Sequence, residues 1–312
     1  MKRFLLSVCL LFSIAFLNYS AVAQRVETEG ELFNKISALT KTKKAGDQEK
    51  AYKLSKIFLQ KFGKGESAEV KKIRDFVASY EMSQLGKMTD EGKTAEAFAF
   101  GKEILVANPD NADTTMLLAY AGYQAFIKKQ DKSFGADSII YARKTLQLIG
   151  ENKLPKNFAP FSNQAEATAF MHYIAGSFLV DSDLTDAVNN FYKAIQFDSK
   201  VKNIAFPYYI IAFGYEKKFE KMSADFEAKH GKKTTEDEAM RTDNAKLEKL
   251  LDAMMDGYAR AAKLGEAEKN PSAAAWKTRF SQVYTFLKSS DAGMNDYYDK
   301  ILTAPMSDPS TF

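Results

Sequence analysis

His172 and His230 are the side chains best suited to proton transfer or metal ligation near neutral pH, and they fall in different stretches of the chain. Cys9 is the only thiol. Zinc hydrolysis would call for an HExxH helix, redox exchange for CxxC, acyl transfer for GxSxG, and phosphate binding for a Gly-rich loop. None of these patterns occurs. The run Asp181-Ser182-Asp183-Leu184-Thr185-Asp186 approaches a calcium loop, but Asp186 stands where the sharp turn needs Gly, and Tyr192 where a closing Glu is needed. It reads as a polar turn carrying a helix cap. Asp296 and Asp299 share a helical face and read as solvated carboxylates. The residues therefore point away from catalysis, and to no metal and no cofactor.

The elements that would position a binding surface are helical. Met171, Ile174, Ala175 and Phe178 are followed by Ala187, Phe191, Ala194 and then Asp198-Ser199. This pattern resembles the tetratricopeptide repeat (TPR), with Ser199 where Pro is usual. The resemblance implies an all-α, right-handed solenoid of helical hairpins that binds partners rather than performing chemistry. Ala175 and Ala187 would be small because two helix axes cross closely there. Ala51, Ala97, Ala142 and Ala187 extend the register at spacings of 46, 45 and 45 residues. Phe58, Ile104, Ile149 and Ala194 follow seven residues later, on the same faces. The period is longer than that of the TPR family and overlaps that of HEAT arrays; the small crossing residues favour TPR-like units. The surplus residues are assigned to the third hairpin near Lys128–Asp131 and to a Pro155–Pro160 linker.

Twelve helices are expected: 28–43, 47–62, 67–85, 90–107, 111–128, 136–150, 164–180, 183–197, 201–229, 236–263, 271–289 and 291–303. Thr235 with Glu238 forms a possible capping box, and Asn270 can cap a helix opened by Pro271. Apolar stripes at Tyr215, Phe219, Met222 and Phe226, and at Met240, Leu247, Leu250 and Met254, predict a long hairpin over about 216–250 that projects from the array. Its tip, from His230 to Asp237, reads as polar. Residues 304–312 read as an extended tail.

The TPR resemblance also implies a concave groove lined by first helices. Carried over by register, its positions are Met116, Ala119, Tyr123, Phe126 and Ile127; Ala169, His172, Gly176 and Leu179; Phe206, Tyr209, Phe213 and Glu216; and, in an earlier unit, Arg74 with Lys71, Glu81 and Met82. Such a groove would take a protein or peptide partner, with a carbohydrate or small ligand of the cell envelope, or a structural role in envelope assembly, as alternatives. Trp276, the single tryptophan, falls outside these positions.

Lys2 and Arg3, the apolar run Phe4–Leu17 and the small residues Ala21-Val22-Ala23 read as a signal peptide over 1–23, with the repeat domain over 24–303. Export to the periplasm or beyond is expected, and the mature chain would hold no cysteine. Subtracting Lys2 and Arg3 from 44 basic residues, against 40 acidic ones, leaves a chain close to neutral. That balance gives no reason to expect a nucleic acid or an anionic membrane as partner. No later segment has the ~20 consecutive apolar residues of a membrane span.

Overall fold

The computed structural model describes residues 27–42, 44–232 and 235–308. The expected signal peptide and Cys9 lie outside the described residues. Twelve α-helices account for most of them: α1 Glu29–Thr40, α2 Ala45–Phe62, α3 Ala68–Asp90, α4 Thr94–Ala107, α5 Ala112–Lys129, α6 Gly135–Gly150, α7 Gln164–Leu179, α8 Leu184–Ile195, α9 Ala205–His230, α10 Glu238–Glu268, α11 Ala273–Lys288 and α12 Met294–Lys300. Short 3-10 turns occupy Lys200–Asn203 and Ile301–Thr303. No strand occurs among the described residues.

The chain forms two compact units, Met1–Tyr80 and Glu81–Phe312. In the first, α1, α2 and the opening of α3 enclose Leu32, Ile36, Ala51, Phe58, Val70 and Ile73. In the second, each helix from α4 through α10 packs on its successor. Such consecutive packing is compatible with a helical repeat.

Close crossings explain where the small residues stand. Ala51, Ala97, Ala142 and Ala187 are all fully buried, as are Ala175, Phe58 and Ala194. Ile149 is only half-buried, and its neighbour Leu148 fills the core instead. Glycines mark the tightest approaches. A Cβ added to Gly122 on α5 would meet Ser138 Oγ of α6 at 1.9 Å, and one on Gly176 of α7 would sit 3.2 Å from the Phe191 ring of α8. Helices approach this closely only where a side chain is missing.

Helix ends follow local chemistry. Asn111 and Asn163 cap α5 and α7 through their side-chain oxygens. Asp183, from the calcium-like run, caps α8, while Asp181 and Asp186 pair with Lys132 and Arg143. Asp237, not Thr235, caps α10 by accepting from the Met240 N–H. Pro271 precedes the eleventh helix, which opens at Ala273 after Asn270 folds a turn against the Ser272 N–H. The linker before α7 is held by Asp113 of α5, whose two oxygens accept from the Lys156 and Asn157 N–H groups at 3.0 Å each.

The helices α9 and α10 run 26 and 31 residues and pair along their length. Beyond Tyr215, α9 buries only His230, and α10 buries nothing before Leu247. His230 corrects the reading of that tip as wholly polar. Its ring is fully buried, 4.9 Å from that of Phe226, with Nε2 3.1 Å from the Asp243 carboxylate. Lys229, His230 and Lys246 hold the Asp243 carboxyl well below the usual carboxylate range.

Two outcomes follow from this packing. Gly122→Ala should lower stability by about 1–3 kcal/mol despite the better helix propensity of alanine, because α5 and α6 must separate. Urea unfolding reads this as a lower midpoint; an unchanged midpoint would show that the crossing relaxes freely. Asp110 lies after α4 with its oxygens 2.7 and 2.6 Å from Lys144 and Lys153 Nζ, and those two ammonium groups lower its pKa to about 2. A depressed carboxylate contributes stability above its unfolded pKa and loses it as pH falls through the folded one. The stability gap between wild type and Asp110→Asn should therefore narrow as pH falls from about 4 to about 2, and should shrink with added salt.

Candidate functional site

The expected groove positions separate by burial. Met116, Ala119 and Ala169 are fully buried, Gly176 is buried with them, and Leu179 is 8% exposed. These five belong to the packed interior and offer no surface to a partner, because the next helix in the array covers them. Ile127 is 45% exposed at the end of α5. The Phe126 ring lies tilted at 48° to that of Phe178, 5.3 Å between centroids, under the Lys132 ammonium. Arg74 belongs to the first compact unit, where its guanidinium donates to the Gly63 carbonyl at 2.5 Å.

His172 is held by α8. Its Nδ1 lies 3.1 Å from Asn190 Oδ1, and the Asn190 amide in turn donates to the Asp186 carbonyl and carboxylate at 2.8 and 2.9 Å. With its amide committed as a donor, Asn190 leaves Oδ1 to accept, so His172 carries its proton on Nδ1. Burial pushes the pKa of His172 down, which favours this neutral form. Among the described residues, no group of three His, Cys, Asp or Glu side chains is placed to hold a metal ion.

The residues that do come together are aromatic. Phe206, Tyr209 and Phe213 of α9 are half-buried, with ring centroids 6.4 Å (206–209) and 6.1 Å (209–213) apart. Phe206 meets Phe191 of α8 edge-on at 5.6 Å, Phe191 meets Tyr173 of α7 at 5.6 Å, and Tyr173 meets Tyr123 of α5 at 5.7 Å. Tyr123 is thus joined to the α9 rings through a relay of buried rings. Burial raises the pKa of the Tyr123 and Tyr173 hydroxyls.

Trp276 of α11 corrects the sequence reading. It stacks on Tyr209 at 5.1 Å and 23° between planes, although linear register gave it no place at the site. Only the return of α11 along α10 brings it there, and no local pattern announces that. Beside the stack, Glu216 of α9 accepts from the Tyr258 hydroxyl of α10 and from Arg279 of α11 at 2.5 Å. Burial, then the adjoining carboxylate, push the Tyr258 hydroxyl above the usual phenol range. Lys217 lies over the Phe213 ring, 5.4 Å from its centroid. The result is a half-exposed aromatic strip edged by cations and backed by a three-helix polar clasp. It suits apolar and aromatic contacts with a partner.

A second concavity of about 570 Å³ opens where α10 and α11 meet, lined by Asp252, Asp256, Tyr284, Tyr297 and Lys288. Several of its polar groups are engaged within the chain. Asp256 pairs with Arg260 at 2.5 Å, Lys288 lies 3.5 Å from Asp252, and Tyr284 donates to the Ala292 carbonyl at 2.8 Å. Burial raises the Asp256 pKa against the pull of Arg260.

No family model matches this chain, and a comparison with curated proteins gives no match.

The clasp sets an expectation for stability. Removing the Glu216 carboxylate strands a part-buried hydroxyl and a guanidinium, so Glu216→Ala should cost about 1–3 kcal/mol in urea unfolding. Glu216→Gln, which keeps an acceptor oxygen, should cost less. Equal stability of wild type and Glu216→Ala would mean that the clasp does not hold the three helices together.

Proposed function

We propose that this protein is an exported binding scaffold, a right-handed solenoid of TPR-like hairpins that holds a protein or peptide partner against its α9 aromatic strip. The observation that carries the reading is the contiguous, half-exposed set Phe206, Tyr209 and Phe213, fixed from behind by Trp276 and the Glu216 clasp. Rigid aromatic side chains supply large contact area with little rotamer entropy to lose on binding. Burial of Ala51, Ala97, Ala142 and Ala187 supports the repeat register. The basic, apolar and small-residue pattern of residues 1–23 supports export. No helix among the described residues is long and apolar enough to cross a membrane. Sugar stacking is less favoured, because the one indole is 8% exposed and already faces Tyr209.

The test is capture of the mature protein from its native envelope, followed by titration of the co-eluting partner against variants. Phe213→Ala and Tyr209→Ala should each weaken binding by ~2 kcal/mol or more if they are hot spots. Tyr209→Ala should also lower stability, since it leaves Trp276 without its stacked ring. Normal affinity in both variants would remove the partner from this strip.

A further inference from the structure

Residues Ala304–Asp308 lie along a groove between α9 and α10, with Met306 seated in it. Along this segment Ala304, Pro305, Ser307 and Asp308 are exposed, while Met306 is buried, with 7% of its surface exposed. The Met306 methyl enters a hole made by a missing side chain. A Cβ on Gly257 of α10 would come 3.2 Å from Met306 Cε and 2.8 Å from Ala212 Cβ of α9. Two side chains hold the backbone of the segment. Arg260 Nη2 donates to the Ala304 carbonyl at 2.7 Å, and the Tyr215 hydroxyl donates to the Ser307 carbonyl at 3.3 Å. Arg260 is itself 5% exposed and fixed by Asp256. Ala304 is extended, at φ −111° and ψ 152°, as a residue before proline should be.

This is how an extended peptide is recognised: main-chain carbonyls give affinity without regard to sequence, and one pocket reads one side chain. Only the Met306 position is read. The donors take the carbonyls two residues before and one residue after it. Nothing in this geometry requires the occupant to be joined to the fold. We propose that the α9–α10 groove is a peptide-binding site for an extended segment of another protein. That segment would carry an unbranched apolar side chain, methionine above all, at the anchoring position, and would displace Ala304–Asp308. The groove uses none of the rings of the α9 strip, so it stands or falls separately from the function proposed above.

A tethered occupant competes at a high effective concentration, which lowers the apparent affinity of any incoming peptide. Emptying the groove should therefore reveal binding. The probe is a fluorescent peptide with the sequence of residues 304–312, titrated into the full-length chain. Met306→Asp should bind it at least about tenfold more tightly than wild type does. The same peptide with aspartate in place of its methionine should not bind. Adding Tyr215→Phe, which keeps the ring and removes the donor, should weaken the gain several-fold. A folded Met306→Asp chain that ignores the peptide overturns the proposal. If that variant fails to fold, the wild type decides. Its carbon-13-labelled Met306 methyl signal should move to the exposed position as millimolar peptide displaces the segment, and a fixed signal overturns the proposal. A concentration-dependent dimer abolished by Met306→Asp would assign the groove to a second copy of this chain, and so would also overturn it.

Discussion

Close approach of helix axes at small residues is the constraint on which the rest of this structure depends. A helix pair packed through alanine and glycine brings its backbones together and forces the larger residues to the flanks of the contact. Ala175 and Ala187 do this between α7 and α8, and the ring of Phe191 then fills the space above Gly176. Gly101 of α4 repeats the device against Leu118 of α5, whose side-chain carbons would meet an added Cβ at 2.7–2.9 Å. Because each hairpin leaves an apolar face for the next, the crossings fix where neighbouring faces meet. The aromatic relay from Tyr123 to Trp276 follows from that geometry.

Within the second unit, α10 organises the later elements. It packs along α9 on one side and α11 on another. Glu268, in its last turn, accepts from the Ala205 N–H at 2.8 Å and so supplies the N-terminal acceptor that Ile204 cannot give α9. Tyr258 reaches Glu216, while Arg260 reaches Ala304. Two residues of one helix, Tyr258 and Arg260, thus anchor the aromatic strip through its clasp and the extended segment through its carbonyl. The two surfaces are chemically distinct, and one shared backbone keeps both in register.

Legibility in the sequence tracked distance along the chain. Period and punctuation made the helices readable: the twelve expected ranges meet twelve observed helices, and the boundary shifts are mostly a few residues. The largest differences are at C-terminal ends, where α3 runs to Asp90 and α10 to Glu268, past the expected 85 and 263. Asp237 displaced Thr235 as the cap of α10, and a 3-10 turn at Lys200–Asn203 separates Ser199 from α9. The alanine register was legible because a crossing demands a small residue whatever surrounds it. The site was legible only in part. Phe206, Tyr209 and Phe213 lie on one helix, so the register carried over from the TPR resemblance kept them together. Met116 and Leu179 were misread as surface because their faces are covered by helices that no local window contains. Trp276 and Arg279 were missed for the complementary reason, since they reach α9 from a later helix.

Burial of Met306 within the otherwise exposed segment Ala304–Asp308 shows why an extended reading of its sequence left out its placement. Pro305 fixes an extended backbone and withholds a donor, which prevents helix continuation. Neither property says what covers the chain. The covering comes at Gly257, where an added Cβ would lie 2.8 Å from Ala212 Cβ and 3.2 Å from Met306 Cε. The same absence that lets α9 and α10 approach also admits Met306. A larger residue at that position would have to give up both the helix contact and the pocket. Close packing of α9 on α10 and the seating of Met306 against them therefore both depend on Gly257.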